Sequence, residues 1–263
     1  MTLVDLAHLA PATPGNYDPD DTWKEYRHVI DWAVDNQPRT LQTRIGPSEL
    51  GNPCDACLIS KLAGLPERRD PGTSWLPFIG TSVHEQLQVI FATFNTGQQR
   101  SRFLTETTVS VGDVGGQEIT GHADLYDILT AEVTDWKIVG VTKLREVRKT
   151  GLPGEAYRIQ GHLYGYGLTR RGLPCRRVRV AFLPRNARTL ADAVIWHEEY
   201  DETVALKALE RANAFAGWIS AMGAEHILET AQHTGGHSCA RYGWVDPAAT
   251  ARAATAFADL VAP

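Results

Sequence analysis

Two aspartates and a lysine are the residues of this 263-residue chain whose types and spacing could do chemistry together. Asp124 closes the segment EITGHAD, and Asp135 and Lys137 follow in TDWK. A two-residue turn at Leu129-Thr130 would place the aspartates opposite each other on antiparallel strands, with Cβ atoms roughly 4.5 to 5.5 Å apart. Both carboxylates then reach one hard divalent cation, and Lys137 lies on the same strand face. Such a site can polarise a phosphoryl oxygen and deliver hydroxide at neutral pH.

A simpler interpretation makes Asp124 and Asp135 solvent-facing strand residues, with Lys137 as their ordinary salt-bridge partner. The neighbouring residues favour the first interpretation. They are mostly apolar and predict a largely buried sheet, in which an unpaired carboxylate is costly; they are Ala123, Leu125, Val133, Trp136, Ile138 and Val139.

Four short motifs follow one another along the chain. They are G-x-x-x-H (Gly80–His84), G-x-x-D (Gly121–Asp124), D-x-K (Asp135–Lys137) and Q-x-x-x-Y (Gln160–Tyr164). In this order, and over roughly residues 48–244, the chain resembles the RecB-like exonuclease branch of the PD-(D/E)xK nuclease superfamily.

That resemblance implies roles for the site residues. Mn²⁺ or Mg²⁺ would be bound by His84, Asp124, Asp135 and the backbone carbonyl of Ile138, and Lys137 would orient or activate the attacking water. Gln160 and Tyr164, which share one helix face at i and i+4, would position the nucleotide and the lysine. Glu85 is an alternative ligand beside His84.

The implied function is a metal-dependent DNA exonuclease that hydrolyses phosphodiester bonds. The resemblance points to single-stranded or end-dependent DNA, in replication, recombination or repair, and to phage or CRISPR-associated processing. The alternative is a non-catalytic nucleic-acid-binding or recombination-partner module that keeps a nuclease scaffold.

The cysteines indicate a second metal site. Cys54 and Cys57 form C-x-x-C, and Cys239 lies near the end of the chain with His233 and His237 close by. Three thiolates and an imidazole suit tetrahedral Zn²⁺. The spacing also resembles the iron–sulfur subgroup of these nucleases, which implies a [4Fe–4S] cluster. Tyr242 stands where the C-x-x-C-P-W motif of that subgroup has its last cysteine, so the alternative to zinc is a cluster with one histidine ligand.

Two other interpretations of the cysteines stay open. All four, including Cys175, could be reduced core thiols, and Cys175 could instead supply a fourth sulfur. A thiol redox protein is a third function class, but C-x-x-C here lacks a thioredoxin-like βαβ context.

The charge distribution favours a polyanionic partner. The formal net charge is −5, yet residues 137–188 hold thirteen Lys and Arg against two acidic residues, so the rest of the chain is strongly acidic. Segregation of this kind is typical of a phosphate-binding face. The predicted DNA-binding residues are Lys143, Arg145, Arg148, Lys149 and Arg158.

The element pattern predicts an α/β fold with a central mixed sheet of about five strands flanked by helices. Strands are predicted in TETTVSV, EITGHADLYDI, AEVTDWKIV, RRVRVAFL and DAVIWHEEY, and helices in WKEYRHVIDWAV, from Ser48, after Pro77, and over 142–149, 155–170 and 202–222.

The expected organisation is a flexible arm over 1–19 and a single nuclease domain over 20–244, closed by the cysteine site as a metal clasp. A terminal helix or tail follows over 245–263. The sequence shows no long apolar run and no secretory signal, so we expect a cytoplasmic protein with no membrane partner. Oligomeric state stays open.

Overall fold

The computed structural model describes residues 19–35, 45–67, 75–99, 101–234, 239 and 242. They fall into two compact units, one containing helix α1 (Pro19–Asp35) and the other containing the sheet and the later helices. These later helices are α2 (Pro47–Leu50), α3 (Asp55–Leu62), α4 (Trp75–Gly97), α5 (Val141–Thr150), α6 (Glu155–Arg170), α7 (Glu202–Met222) and α8 (Ala224–Leu228).

A five-stranded mixed sheet lies at the centre of the second unit. Its strands are β1 (Phe103–Val114), β2 (Gln117–Asp127), β3 (Glu132–Val139), β4 (Arg177–Pro184) and β5 (Val194–Glu199), in that spatial order. Only β3 and β4 are parallel, and α5 and α6 form the crossover between them. The predicted α/β class with a mixed five-stranded sheet flanked by helices is confirmed.

The core lies between the sheet and the helices α6 and α7. Leu163 and Leu168 of α6 are fully buried against Val109, Val111 and Val178 of the strands. Small residues let α6 approach closely, since a Cβ on Gly167 would come within 2.8 Å of the Val109 side chain. The close approach of α6 brings its polar residues near the centre of the sheet.

Two helices differ from expectation at their starts. Helix α4 begins at Trp75 rather than after Pro77, because proline is tolerated in the first turn, where its missing N–H has no intrahelical partner. The helical segment expected from Ser48 is divided into α2 and α3. Cys54 is the N-cap of α3, because its Sγ accepts a hydrogen bond from the Cys57 N–H.

Parts of the predicted organisation lie outside the described residues. These are residues 1–18 of the arm, the histidine at 237 and the terminal segment 245–263; Pro19 begins α1. The domain boundaries therefore stay a prediction. None of the helices in the described ranges combines the length and the apolar character needed to cross a membrane.

Candidate metal and nuclease site

The β2–β3 hairpin carries the two aspartates. The strands are connected by four residues, 128–131, and not by the predicted two-residue turn, but the pairs Asp127↔Glu132 and Leu125↔Thr134 have the predicted register. The next step along the strands brings Asp124 opposite Asp135. There the strands are joined by a side chain, because the Trp136 N–H donates to Asp124 Oδ2 at 2.7 Å. This bond fixes the Asp124 carboxylate between the strands.

His84 reaches the same point from α4. Its Nδ1 lies 3.4 Å from Asp124 Oδ1, and the two side chains are only 14% and 9% exposed. Phe91, two helical turns after His84, stacks on Trp136 at 5.8 Å and meets Phe103 edge-on at 4.9 Å. Because residues seven apart share a helix face, the aromatic contacts hold His84 over the strands.

Glu106 is a candidate ligand that the sequence analysis missed. It lies on β1 between the pairs Thr105↔Leu125 and Thr107↔Ala123, and therefore opposite Asp124. Donor atoms of His84, Glu106 and Asp124 all lie within 4.8 Å of one another. Glu106 has a φ of 46°, a left-handed conformation that is uncommon for a non-glycine residue and often occurs at functional sites.

Beside this group, the buried Asp135 forms an ion pair with the partly buried Lys137. Lys137 Nζ lies 2.7 Å from Asp135 Oδ2, and the Asp135 side chain is only 2% exposed. Burial raises the pKa of Asp135 to about 6; Lys137 opposes this shift and Asp124 adds to it. The carboxylate therefore depends on nearby positive charge to stay ionised.

The His84 imidazole is influenced by the same charges. Burial alone would lower the pKa of His84, but the carboxylates of Asp124 and Asp135 outweigh burial and Lys137, so its pKa lies above the ordinary value. The cluster of carboxylates thus attracts positive charge at this point of the sheet.

A chain of polar side chains leads from Lys137 into α6. Lys137 Nζ donates to Gln160 Oε1 at 3.0 Å, and Gln160 Nε2 donates to the Tyr164 hydroxyl at 3.1 Å. The Tyr157 ring lies under Lys137, with Nζ 4.9 Å from its centroid. Gln160 and Tyr164 are buried, and Lys137 connects Gln160 to the two aspartates.

Gly121 explains why the G-x-x-D segment begins with glycine. A Cβ at this position would lie 2.6 Å from Pro47 Cγ and 3.0 Å from Tyr164 Cε1. Only glycine allows α2 and Tyr164 to pack so close to β2. At Gly80, by contrast, a Cβ meets nothing within 4 Å among the described residues.

The predicted DNA-binding residues divide into two groups. Arg145 and Lys149 are exposed on α5 and make no side-chain hydrogen bond or ion pair with the described residues. The others have protein partners: Lys143 pairs with Glu146 at 2.7 Å, Arg148 contacts the Asp192 backbone carbonyl, and Arg158 pairs with Glu198 at 2.6 Å.

Ile138, whose backbone carbonyl is a predicted metal ligand, lies on β3 one residue after Lys137. It pairs with Leu183 of the parallel strand β4.

The structure also brings three of the predicted cysteine-site residues together. Cys54, Cys57 and Cys239 are each buried, with Cys239 Sγ 3.4 Å from Cys54 Sγ and 3.5 Å from Cys57 Sγ. His233 is exposed, and Cys175 lies elsewhere, where burial raises its pKa to about 11. Three thiols in contact form a second group of residues that could hold a metal ion.

Solved structures that align with this chain include exonucleases. An alkaline exonuclease from Laribacter hongkongensis matches at 12% identity and a TM-score of 0.41, over 69% of this chain and 94% of that one. The same enzyme with dAMP matches at 14% identity and a TM-score of 0.37, over 70% and 94%. A phage-related exonuclease from Haemophilus somnus 129PT matches at 14% identity and 0.36, over 56% and 73%.

The sequence itself matches no family profile and no curated protein. Because the TM-scores of these structures lie below 0.5 and their identities below 25%, the activity has to be inferred from the residues of this chain.

Proposed function

We propose that this protein is a metal-dependent DNA exonuclease that hydrolyses phosphodiester bonds, acting on single-stranded or end-dependent DNA in replication, recombination or repair. One observation carries the proposal: donor atoms of His84, Glu106 and Asp124 converge within 4.8 Å, beside the ion pair of Asp135 and Lys137. We place this activity in the cytoplasm.

The donor set fits a hard divalent cation. Carboxylate oxygens with one imidazole nitrogen suit Mn²⁺ or Mg²⁺, and the burial of Asp135 requires positive charge nearby. We assign His84, Asp124, Asp135 and the Ile138 carbonyl as ligands, with Glu106 added to them. When bound, the ion would polarise a phosphoryl oxygen and activate water.

Lys137 is the residue we assign to the water and the scissile phosphate. Its ammonium has three donors; one is used by the hydrogen bond to Gln160, and the ammonium also lies 2.7 Å from Asp135 Oδ2 as an ion pair. A donor not used by Gln160 can donate to an incoming water or phosphate oxygen. Gln160 and Tyr164 act through Lys137, because their hydrogen bonds fix the direction of its ammonium.

The α5 surface is the proposed path of the DNA backbone. Arg145 and Lys149 can contact phosphates without losing a protein partner, whereas Arg158 would have to leave Glu198. Phosphate contacts of this kind bind DNA without reading its sequence.

An end-labelled DNA assay tests the proposal. Single- and double-stranded substrates are incubated with purified protein in Mn²⁺, Mg²⁺ or EDTA. We expect stepwise loss of terminal nucleotides with either metal, none in EDTA, and a fall of at least about a hundredfold in Lys137→Ala, the range for loss of a transition-state contact. Lys207→Ala, an exposed lysine on α7, is the matched control.

Degradation that persists in EDTA, or that survives both Lys137→Ala and Asp135→Ala, would refute the mechanism. Retention of DNA in a binding assay with no cleavage under any metal would instead favour the non-catalytic binding module.

A further inference from the structure

The cysteine group is a compact site far from the proposed nuclease residues in sequence. Cys54 and Cys57 flank the first turn of α3, and Cys239 is added from the end of the described chain. Apolar contacts with Leu228, Ala231 and Tyr242 surround the three buried thiols. No part of the proposed nuclease mechanism uses them.

The residues present do not fit the four-cysteine cluster that the iron–sulfur subgroup implies. The chain has four cysteines, and the fourth, Cys175, donates weakly to the Arg177 carbonyl beside α6 instead. Tyr242 stands at the position of the missing cysteine, and its hydroxyl donates to Glu67 Oε1 at 3.2 Å. A fourth thiolate ligand is therefore absent.

The sulfur separations also favour a single ion. Tetrahedral zinc with Zn–S bonds of about 2.3 Å places two sulfur ligands about 3.8 Å apart, close to the 3.4 and 3.5 Å between these thiols. A [4Fe–4S] cluster binds each thiolate to a different iron. The four-iron core would have to lie between the thiolates and hold them apart, whereas these sulfurs are in contact.

A backbone hydrogen bond at the start of α3 stabilises negative charge on Cys54, one of the three sulfurs. The Cys57 N–H donates to Cys54 Sγ at 3.4 Å, at the N-terminus of α3, where the helix dipole favours negative charge. We propose that Cys54, Cys57 and Cys239 bind one zinc ion, and not an iron–sulfur cluster.

We assign the fourth ligand to a non-sulfur donor next to Gln232. Gln232 lies against the site, since its carbonyl accepts from the Ala56 N–H at 3.2 Å and lies 3.6 Å from Cys54 Sγ. His233 follows Gln232 directly and offers an imidazole. Three cysteines with one histidine are a common set for structural zinc.

Metal analysis of the full-length protein tests the proposal. The protein is produced in medium supplied with both iron and zinc and purified without oxygen, so that a cluster would survive. We expect one zinc per chain, neither iron nor acid-labile sulfide in stoichiometric amount, and a colourless solution. After exchange with Co²⁺, visible d–d bands of a tetrahedral thiolate site should develop.

Variants assign the ion to these cysteines. Cys239→Ser should lose the zinc, whereas Cys175→Ser, the matched control, and Asp124→Asn, which disables the other metal site, should keep it. Should Cys239→Ser fail to fold, stepwise modification of wild-type thiols with a mercurial gives the same information, because zinc release should follow their titration.

Iron with sulfide in the wild-type protein would overturn the proposal. So would a protein without zinc, or zinc that remains bound after the three thiols have been modified. These results are independent of DNA cleavage, so the zinc site and the nuclease activity can fail separately.

Discussion

Replacing Lys137 by methionine should destabilise the metal-free protein in a pH-dependent way. Methionine keeps much of the side-chain volume but leaves the Asp135 carboxylate, 2% exposed, without its cation. Removing one partner of a buried ion pair costs about 3 to 5 kcal/mol. Lys137 is itself 18% exposed, so we expect a loss near the lower end, about 3 kcal/mol.

The pH dependence follows from the Asp135 pKa. Its ordinary pKa is 3.8 and its folded pKa is about 6, because burial favours the protonated form. The folded state therefore binds this proton more tightly than the unfolded state, and the stability contributed by Asp135 falls as pH rises from about 4 to about 6. Without Lys137 the folded pKa should rise further, which extends the fall to higher pH.

The assay is chemical and thermal unfolding in EDTA at pH 5 and pH 8. The Lys137→Met protein should melt about 6 to 10 °C below wild type at pH 8, with a smaller difference at pH 5. Adding Asp135→Asn should restore most of the loss, because the charge that needed compensation is gone. Mn²⁺ should stabilise Lys137→Met more than wild type.

Lys149→Met on the exposed face of α5 is the control and should melt within about 1 °C of wild type. Two results would refute the reasoning: an equal loss at pH 5 and pH 8, or a double variant no more stable than Lys137→Met. Either would mean that Asp135 does not carry an uncompensated charge when Lys137 is removed.

Three further predictions concern other parts of the site. Glu106→Gln should raise the Mn²⁺ concentration for half-maximal cleavage about tenfold or more, whereas exposed Glu85→Gln should not, as a Mn²⁺ titration of initial rates will show. Gly121→Ala should lower stability by about 2 kcal/mol through overpacking, and Gly80→Ala should be neutral or stabilising; equal melting temperatures would contradict this. Lys149→Ala should reduce the slope of log affinity against log salt for single-stranded DNA by about 0.7, measured by fluorescence anisotropy.

The β2–β3 hairpin was predictable because its register depends on local features. Alternation of apolar residues on either side of a short connection fixes which side chains face each other. The observed connection has four residues, 128–131, yet it keeps the register predicted from a two-residue turn at Leu129-Thr130. The observed pairs Leu125↔Thr134 and Asp127↔Glu132 follow that register. The juxtaposition of Asp124 and Asp135 needs no further information.

Glu106 was not predictable in the same way. The turn at Gly115-Gly116 gives Val114↔Gln117 and Gly112↔Ile119, a register that would place Glu106 opposite Leu125 and on the other face of the sheet. The register shifts between Ser110 and Gly112, where Gly112 has a φ of 125°. This bulge moves the strand by one residue and turns Glu106 towards Asp124.

The ion pairs of the basic residues on α5 and α6 were also not predictable from the sequence. A run of basic residues marks a positive surface, but it does not show which side chains are already paired. Arg158 and Glu198 are forty positions apart and meet only because α6 packs beside β5. That pairing depends on the tertiary fold, so composition alone could not separate Arg158 from Arg145.

The contact between Cys54 and Cys239 spans 185 positions of the chain, which sets an order of events during synthesis. Every strand of the sheet lies between these two residues, so all five leave the ribosome before the third thiol is available. A nascent chain can thus form its sheet while α3 still lacks its partner. A chain interrupted before 239 would keep all five strands of the sheet but lack Cys239, so Cys54 and Cys57 at the start of α3 would lose their third thiol.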